Sequence, residues 1–232
     1  MARRRSAALL AALVVAAGCR HAVPPSAPLP AGWQALVVAP RAFSALYRFS
    51  CCGHRGLVLT VRGDGESLAL SVAVPPGGTA LAAWVGPGGG FVERVKQGCR
   101  EALPPGVLPL AAGASLPIDP ALAALLLSGL LPAGARELPE LPGWVEAASG
   151  GLAWRARVTG PEPHWTRVLL TRVGDATPAM SVVRTDEGGR VPHRLVLTAG
   201  TVEAGLDLQA WRPSGAPAPP AWLTAPECGT RP

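Results

Sequence analysis

Residues 116–132 read Leu116-Pro117-Ile118-Asp119-Pro120-Ala121-Leu122-Ala123-Ala124-Leu125-Leu126-Leu127-Ser128-Gly129-Leu130-Leu131-Pro132. Asp119 before Pro120 is a helix start: the carboxylate accepts from the first free N–H groups, and the proline ring is preset for the first turn. From Ala121 to Leu131 there is almost no polar group, and Gly129 or Gly134 terminates the helix. A helix that is apolar on every side cannot lie with one face in water. It must be covered by a sheet, cover an apolar cavity or touch lipid. It is too short to span a bilayer, which takes about 20 residues.

On both sides of this helix the hydropathy period changes to two, the mark of half-buried strands. Tyr47 and Phe49 alternate with Arg48 and Ser50, and Leu57, Leu59 and Val61 with Thr60 and Arg62. Leu68, Leu70, Val72 and Val74 alternate with Ala69, Ser71 and Ala73, and further strands are expected at Ala80–Val85 and Phe91–Gln97. Gly63-Asp64-Gly65, Pro75-Pro76-Gly77-Gly78 and Gly86-Pro87-Gly88-Gly89-Gly90 divide them. Beyond the helix, Trp154, Ala156 and Val158 alternate with Arg155 and Arg157. Trp165–Val173, Met180–Arg184, Leu195–Thr198 and Val202–Gln209 follow in the same manner. Sequential hairpins imply antiparallel pairing. The expectation is a mainly β fold: about eleven strands in one strongly curved antiparallel sheet, an unclosed half-barrel, with a central helical insertion covering its concave face.

The ends are of a different kind. Arg3, Arg4 and Arg5 precede an apolar stretch from Ala7 to Ala17, the order of a secretory signal. Ala16-Ala17-Gly18-Cys19 resembles the bacterial lipobox. That resemblance implies cleavage before Cys19 and a diacylglyceryl chain on its thiol, so that membrane lipid is a partner through the anchored N-terminus. Each buried CH2 of such a chain contributes about 0.8 kcal/mol. Residues 1–18 are thus read as signal peptide, 19–40 as lipidated N-terminus and Pro/Ala-rich tether, 41–212 as the folded domain and 213–232 as a Pro-rich tail. Trp222 and Cys228 suggest that the tail folds back and is pinned.

The net charge of +6 falls when the signal leaves, since 18 basic residues then face 15 acidic. The basic residues are scattered, which argues against a nucleic-acid footprint. Asn is absent, so no glycosylation sequon exists. Four further cysteines, Cys51, Cys52, Cys99 and Cys228, suggest two bridges in an oxidising compartment, with three connectivities open. Neighbours on a strand face opposite ways, so Cys51 and Cys52 are expected to reach different partners, Cys99 being one. Buried free thiols are the alternative. No spacing suits a metal, and no cofactor is expected. Asp64, Glu66 and Glu93 form no acid/base pair. His54, His164 and His193 lie far apart, and Ser115 lacks the second glycine of a nucleophile elbow. The chain is not read as an enzyme.

Three stretches, in order, resemble the LolA/LolB family of periplasmic lipoprotein carriers and receptors, and are nearer to the outer-membrane receptor. They are Leu68–Leu81 around Val74-Pro75-Pro76-Gly77; Leu116–Pro132; and the closing pair Pro192–Leu197 with Gly205–Trp211. The resemblance implies an unclosed barrel with a helix-covered concave face that receives acyl chains. Acylated lipoproteins or a periplasmic carrier would then be partners. Arg20 after Cys19, where the family's inner-membrane retention signal is Asp, places the chain at the outer membrane facing the periplasm. Where the receptor exposes a leucine for membrane contact, this chain has Pro76, beside Gly77 and Gly78, with Leu81 or Trp84 as substitutes. The lining candidates are Leu122, Leu125, Leu126 and Leu130 from the helix and Leu59, Leu70, Val72 and Trp154 from the strands. All serve equally well as ordinary core. A structural or assembly lipoprotein with a side-chain-filled interior is the competing reading. A large apolar cavity between sheet and helix favours binding, and a packed interior opposes it.

Overall fold

The computed structural model describes residues 28–86, 89–110, 115–149, 152–186 and 189–229. The signal, Cys19 and most of the tether lie outside them. The first meander comprises β1 (Phe43–Cys51), β2 (His54–Gly63), β3 (Leu68–Ala73), β4 (Thr79–Gly86), β5 (Gly89–Arg94) and β6 (Cys99–Leu103). A small hairpin follows, β7 (Leu108–Pro109) with β8 (Ser115–Leu116), and then the helix α1 (Pro120–Ser128). The second meander runs through β9 (Arg136–Glu137), β10 (Trp144–Ser149), β11 (Leu152–Thr159) and β12 (His164–Arg172). It continues through β13 (Met180–Arg184), β14 (Arg194–Ala199) and β15 (Val202–Pro213).

Among the described residues the two meanders form one antiparallel sheet of thirteen strands, because the first strand pairs with the last, Phe43 opposite Pro213 and Cys51 opposite Ala204. The edges are therefore β6 and β9. The segment 104–135, which joins these edges, has to cross the open side of the sheet, and it carries β7, β8 and α1. Extra residues bend the ladder at four places: Gln209 opposite the Leu46–Tyr47 step, Arg55–Gly56 opposite Ser50, Ala80 opposite Val72–Ala73, and Thr166 opposite Arg157–Val158. Such bulges bend a strand and increase its twist. The buried face alternates as expected. Phe43, Ala45, Tyr47, Phe49 and Cys51 point inward from β1, and Trp154, Ala156 and Val158 from β11.

The helix is built as its sequence requires. The Asp119 carboxylate accepts from Leu122 N at 2.7 Å, and Pro120 opens the first turn. At the other end Gly129 is left-handed, with φ of 70°. Leu130 N donates to Leu125 O at 2.9 Å and Gly129 N to Leu126 O at 3.2 Å, a Schellman closure with Leu130 set over Leu125. All residues from Leu122 to Ser128 are buried. Beyond the helix, Leu131 N donates to Leu36 O at 2.9 Å, so the end of the tether is held against the end of α1.

The tail does fold back. Cys99 is bonded to Cys228 across a separation of 129 residues, with a Cα–Cα distance of 5.1 Å. Arg100 N donates to Pro226 O at 2.9 Å and Cys228 N to Arg100 O at 2.8 Å. The Arg100 guanidinium donates to Leu223 O at 2.7 Å and lies 4.3 Å from the centre of the Phe91 ring. The tail therefore covers the edge strand β6. This corrects the expected bridge from Cys99 to Cys51 or Cys52. Cys51 ends β1 with its thiol buried, while Cys52 stands exposed in the turn at φ of 57°. The two are not successive strand residues, and neither lies at the edge where Cys99 is. Among the described residues there is one bridge rather than two.

A Cβ added at Gly129 would stand 1.8 Å from the carbonyl oxygen of Arg190, a backbone atom with no freedom to yield. Gly134 is also left-handed, at φ of 76°, but opens onto empty space. Gly129→Ala is expected to lower stability by more than the roughly 1–2 kcal/mol of left-handed strain, and Gly134→Ala by no more than that strain. Urea unfolding midpoints compare them, and equal losses would remove the Arg190 contact as a constraint.

Candidate functional site

The concave face and α1 enclose a cavity of about 60 Å³. Every residue lining it is apolar: Leu59 and Val61 from β2, Leu70 and Val72 from β3, Leu126 and Leu127 from the helix, with parts of β13–β15 and the β7–β8 hairpin. Of the residues singled out in the sequence, Leu59, Leu70, Val72 and Leu126 meet at this cavity. Leu122, Leu125 and Trp154 are buried in the packed core around it, and Leu130 faces a separate crevice at the C-terminal end of the helix. An apolar cavity of roughly 150 Å³ accommodates one benzene ring. The closed interior is therefore packed, and it does not hold an acyl chain without movement.

Sequence reasoning missed the hairpin residues Leu108 and Leu116 and, on the helix, Ala123 and Leu127. Leu127 was legible only as part of an all-apolar run, in which no face stands out. Two-residue strands such as β7 and β8 carry no period at all.

Polar side-chain atoms buried with no hydrogen-bond partner among the described residues include the Tyr47 hydroxyl, the indole nitrogens of Trp154 and Trp165, the Ser128 hydroxyl and Arg100 Nε. A buried donor without an acceptor costs about 1–3 kcal/mol. Burial holds the Tyr47 phenol far above its ordinary range, so it stays protonated, a donor facing the apolar interior. Burial, then the hydrogen bond and charge of Cys52, push the Cys51 thiol up to about 12. At neutral pH Cys51 is a thiol and a poor nucleophile.

The β13–β14 loop closes over the end of α1, and it is clamped. Arg184 donates through Nε and Nη2 to Asp186 Oδ2 at 3.0 and 2.7 Å, and through Nη2 to Gly189 O at 2.9 Å. Arg194 N donates to Asp186 Oδ1 at 3.1 Å. Burial raises the affinity of Asp186 for its proton. The Arg184 hydrogen bond, the backbone N–H groups of Arg194 and His193 and the Arg184 charge together outweigh it, leaving this carboxyl below its ordinary value.

Pro76 and Gly77 lie on the exposed β3–β4 turn with Val74, whereas Leu81 sits in β4 opposite Val72 and packs against the core. Asp64 caps its own turn, accepting from Glu66 N at 2.9 Å and Ser67 N at 2.8 Å. Among the described residues no three His, Cys, Asp or Glu side chains are grouped to hold a metal, and no helix is long and apolar enough to cross a membrane.

The architecture is an unclosed antiparallel half-barrel with an apolar helix across its mouth, as the sequence led one to expect. No protein-family model matches the chain, and no curated protein matches it significantly. Among solved structures it is similar to an outer membrane lipoprotein-sorting protein domain from Vibrio parahaemolyticus. That likeness has a TM-score of 0.49 and 8% identity, covering 80% of this chain and 90% of that one. It is also similar to a LolA superfamily protein from Nitrosomonas europaea, at a TM-score of 0.46 and 10% identity, over 80% of this chain and 92% of the other.

Tyr47→Phe removes a hydroxyl that has no partner among the described residues. Its unfolding free energy is expected to stay within about 1 kcal/mol of the wild type, or to rise. A larger loss would show that the hydroxyl is hydrogen-bonded, to water or to a bound molecule.

Proposed function

We propose that this chain is a lipid-anchored protein of the cell envelope whose half-barrel takes up an acyl chain by displacing α1. The observation that supports this reading is the wholly apolar lining beneath a helix that is itself apolar on every side. Such a lining offers an acyl chain only removal from water, at roughly 25 cal/mol per Å², and that is the whole of its chemistry. The helix is joined to the sheet edges by segments rich in Pro and Gly, Pro104-Pro105-Gly106 before it and Pro132-Ala133-Gly134 after it. In moving outward it would surrender apolar contacts and few polar ones, and the incoming chain would replace those contacts. Membrane attachment through Cys19, outer-membrane placement and work with acylated lipoproteins belong to the same reading and rest on the sequence of residues 1–20.

The small size of the cavity favours a second reading, an envelope lipoprotein whose sheet is filled by its own side chains.

The discriminating experiment uses the chain without residues 1–19, secreted to a periplasm, and a palmitoylated peptide. Saturable uptake with faster amide hydrogen exchange in residues 120–128 is expected, because the helix must leave its seat. No uptake, or uptake with the helix fully protected, would decide for the filled interior. For the anchor, cells growing on labelled palmitate are expected to label the full chain and not Cys19→Ser. Equal labelling would remove Cys19 as the lipid attachment point.

A further inference from the structure

A second site lies outside the interior, at the end of the half-barrel where α1 stops. There the tether, the last turn of the helix, the β13–β14 loop and the paired ends of β1 and β15 surround a crevice of about 490 Å³. That falls within the range of small-molecule pockets. Its walls are apolar: Leu130, Val38, and Trp211 stacked on Phe43 with ring centres 4.4 Å apart. Arg41 and Arg190 also line it, and no carboxylate does. Crevices of similar size beside Cys52, His193 and Pro178 each contain at least one carboxylate.

Ser128 makes this crevice more than a charged hollow. It lines the crevice, is only 7% exposed, and its hydroxyl has no hydrogen-bond partner among the described residues. The carbonyl end of α1 is a partial negative pole, and one cation there would only offset it. Two lining arginines and no lining acid leave the crevice net positive. The backbone of Arg190 is also held in place: its carbonyl packs on Gly129, and its loop is clamped by Arg184 and Asp186.

We propose that this crevice binds an acyl amphiphile with a carboxylate head. The carboxylate pairs with Arg41 and Arg190 and, once the Ser128 side chain turns from its closed-off position toward the crevice, accepts a hydrogen bond from that hydroxyl, while the first carbons of its chain lie against Leu130, Val38 and Trp211. Charge-assisted hydrogen bonds to guanidinium are the strong ones, and the apolar walls reject a bare hydrated anion. The site shares no lining residue with the cavity under α1, so it stands or falls independently of uptake there.

The test is a titration of the chain without residues 1–19, followed by backbone amide NMR shifts, with sodium decanoate, 1-decanol and sodium acetate as probes. Decanoate is expected to saturate shifts at Ser128, Leu130 and Arg190. The Arg41→Gln/Arg190→Gln variant should weaken decanoate by roughly tenfold or more and Ser128→Ala by several-fold, while decanol is unaffected by any of the three changes. Acetate should not saturate. Equal decanoate affinity in the double variant, or acetate binding as tightly as decanoate, would overturn the proposal. So would shifts confined to Leu59, Leu70 and Leu126, which would speak for the interior cavity instead. The arginines are surface side chains, so the double variant is expected to fold, and its undisturbed amide spectrum verifies this.

Discussion

Everything in this molecule follows from the pairing of its first strand with its last. Had β1 and β15 not paired, each meander would have been a small sheet with its own edges and its own helix contacts. Joined along nine register positions from Phe43 to Cys51, they make one continuous curved surface with β6 and β9 at its limits. The chain must then travel from one limit to the other, and the only route is across the open side. The helix on that route lies against the concave wall, and an all-apolar helix is what such a location demands. The four irregularities in the ladder bend the sheet toward it.

How far the interior is a binding site turns on how the helix is held. It is seated by leucines and alanines, a Schellman turn and one backbone hydrogen bond to the tether. Among the described residues no ion pair or side-chain network locks it to the sheet. The strong polar fastening in this region, the Arg184–Asp186 clamp, holds the loop that lies over the C-terminal end of the helix.

Much of this architecture was legible in the chain. β1, β2, β3 and β11–β15 show alternation because one face of each is buried and the other wet. Asp119, Pro120 and Gly129 bracket α1 because each supplies a backbone group or angle that only a helix end requires. What escaped has physical causes as well. β6 (Cys-Arg-Glu-Ala-Leu) is an edge strand with neither face fully buried, so no alternation is imprinted on it. Phe91–Gln97 read as one strand, yet Val95–Gln97 form a 3-10 turn and β5 stops at Arg94. β10 was absent from the expectation, and its Ala147-Ala148 pair gives little contrast between faces. The cysteine pairing depends on where a tail of some fifteen residues lands after leaving β15, and no local pattern encodes that. The crevice was invisible for the same reason: Arg41, Ser128, Arg190 and Trp211 come from four separate segments and meet only when the sheet has closed on the helix.

The strap over β6 has a bearing on how many copies of this chain can live side by side. A long sheet with a bare edge is a template on which another molecule can lay its own strand, and crowding raises the rate of that error. Here the backbone of Arg100 is already engaged on its outer side by Pro226 and Cys228, and the Cys99–Cys228 bond keeps that engagement intramolecular. The protection is conditional on oxidation. Chains made or held where thiols remain reduced keep the hydrogen bonds but lose the covalent tie, and a detached tail leaves β6 open to its neighbours. How firmly that edge is closed therefore depends on whether the Cys99–Cys228 bond has formed.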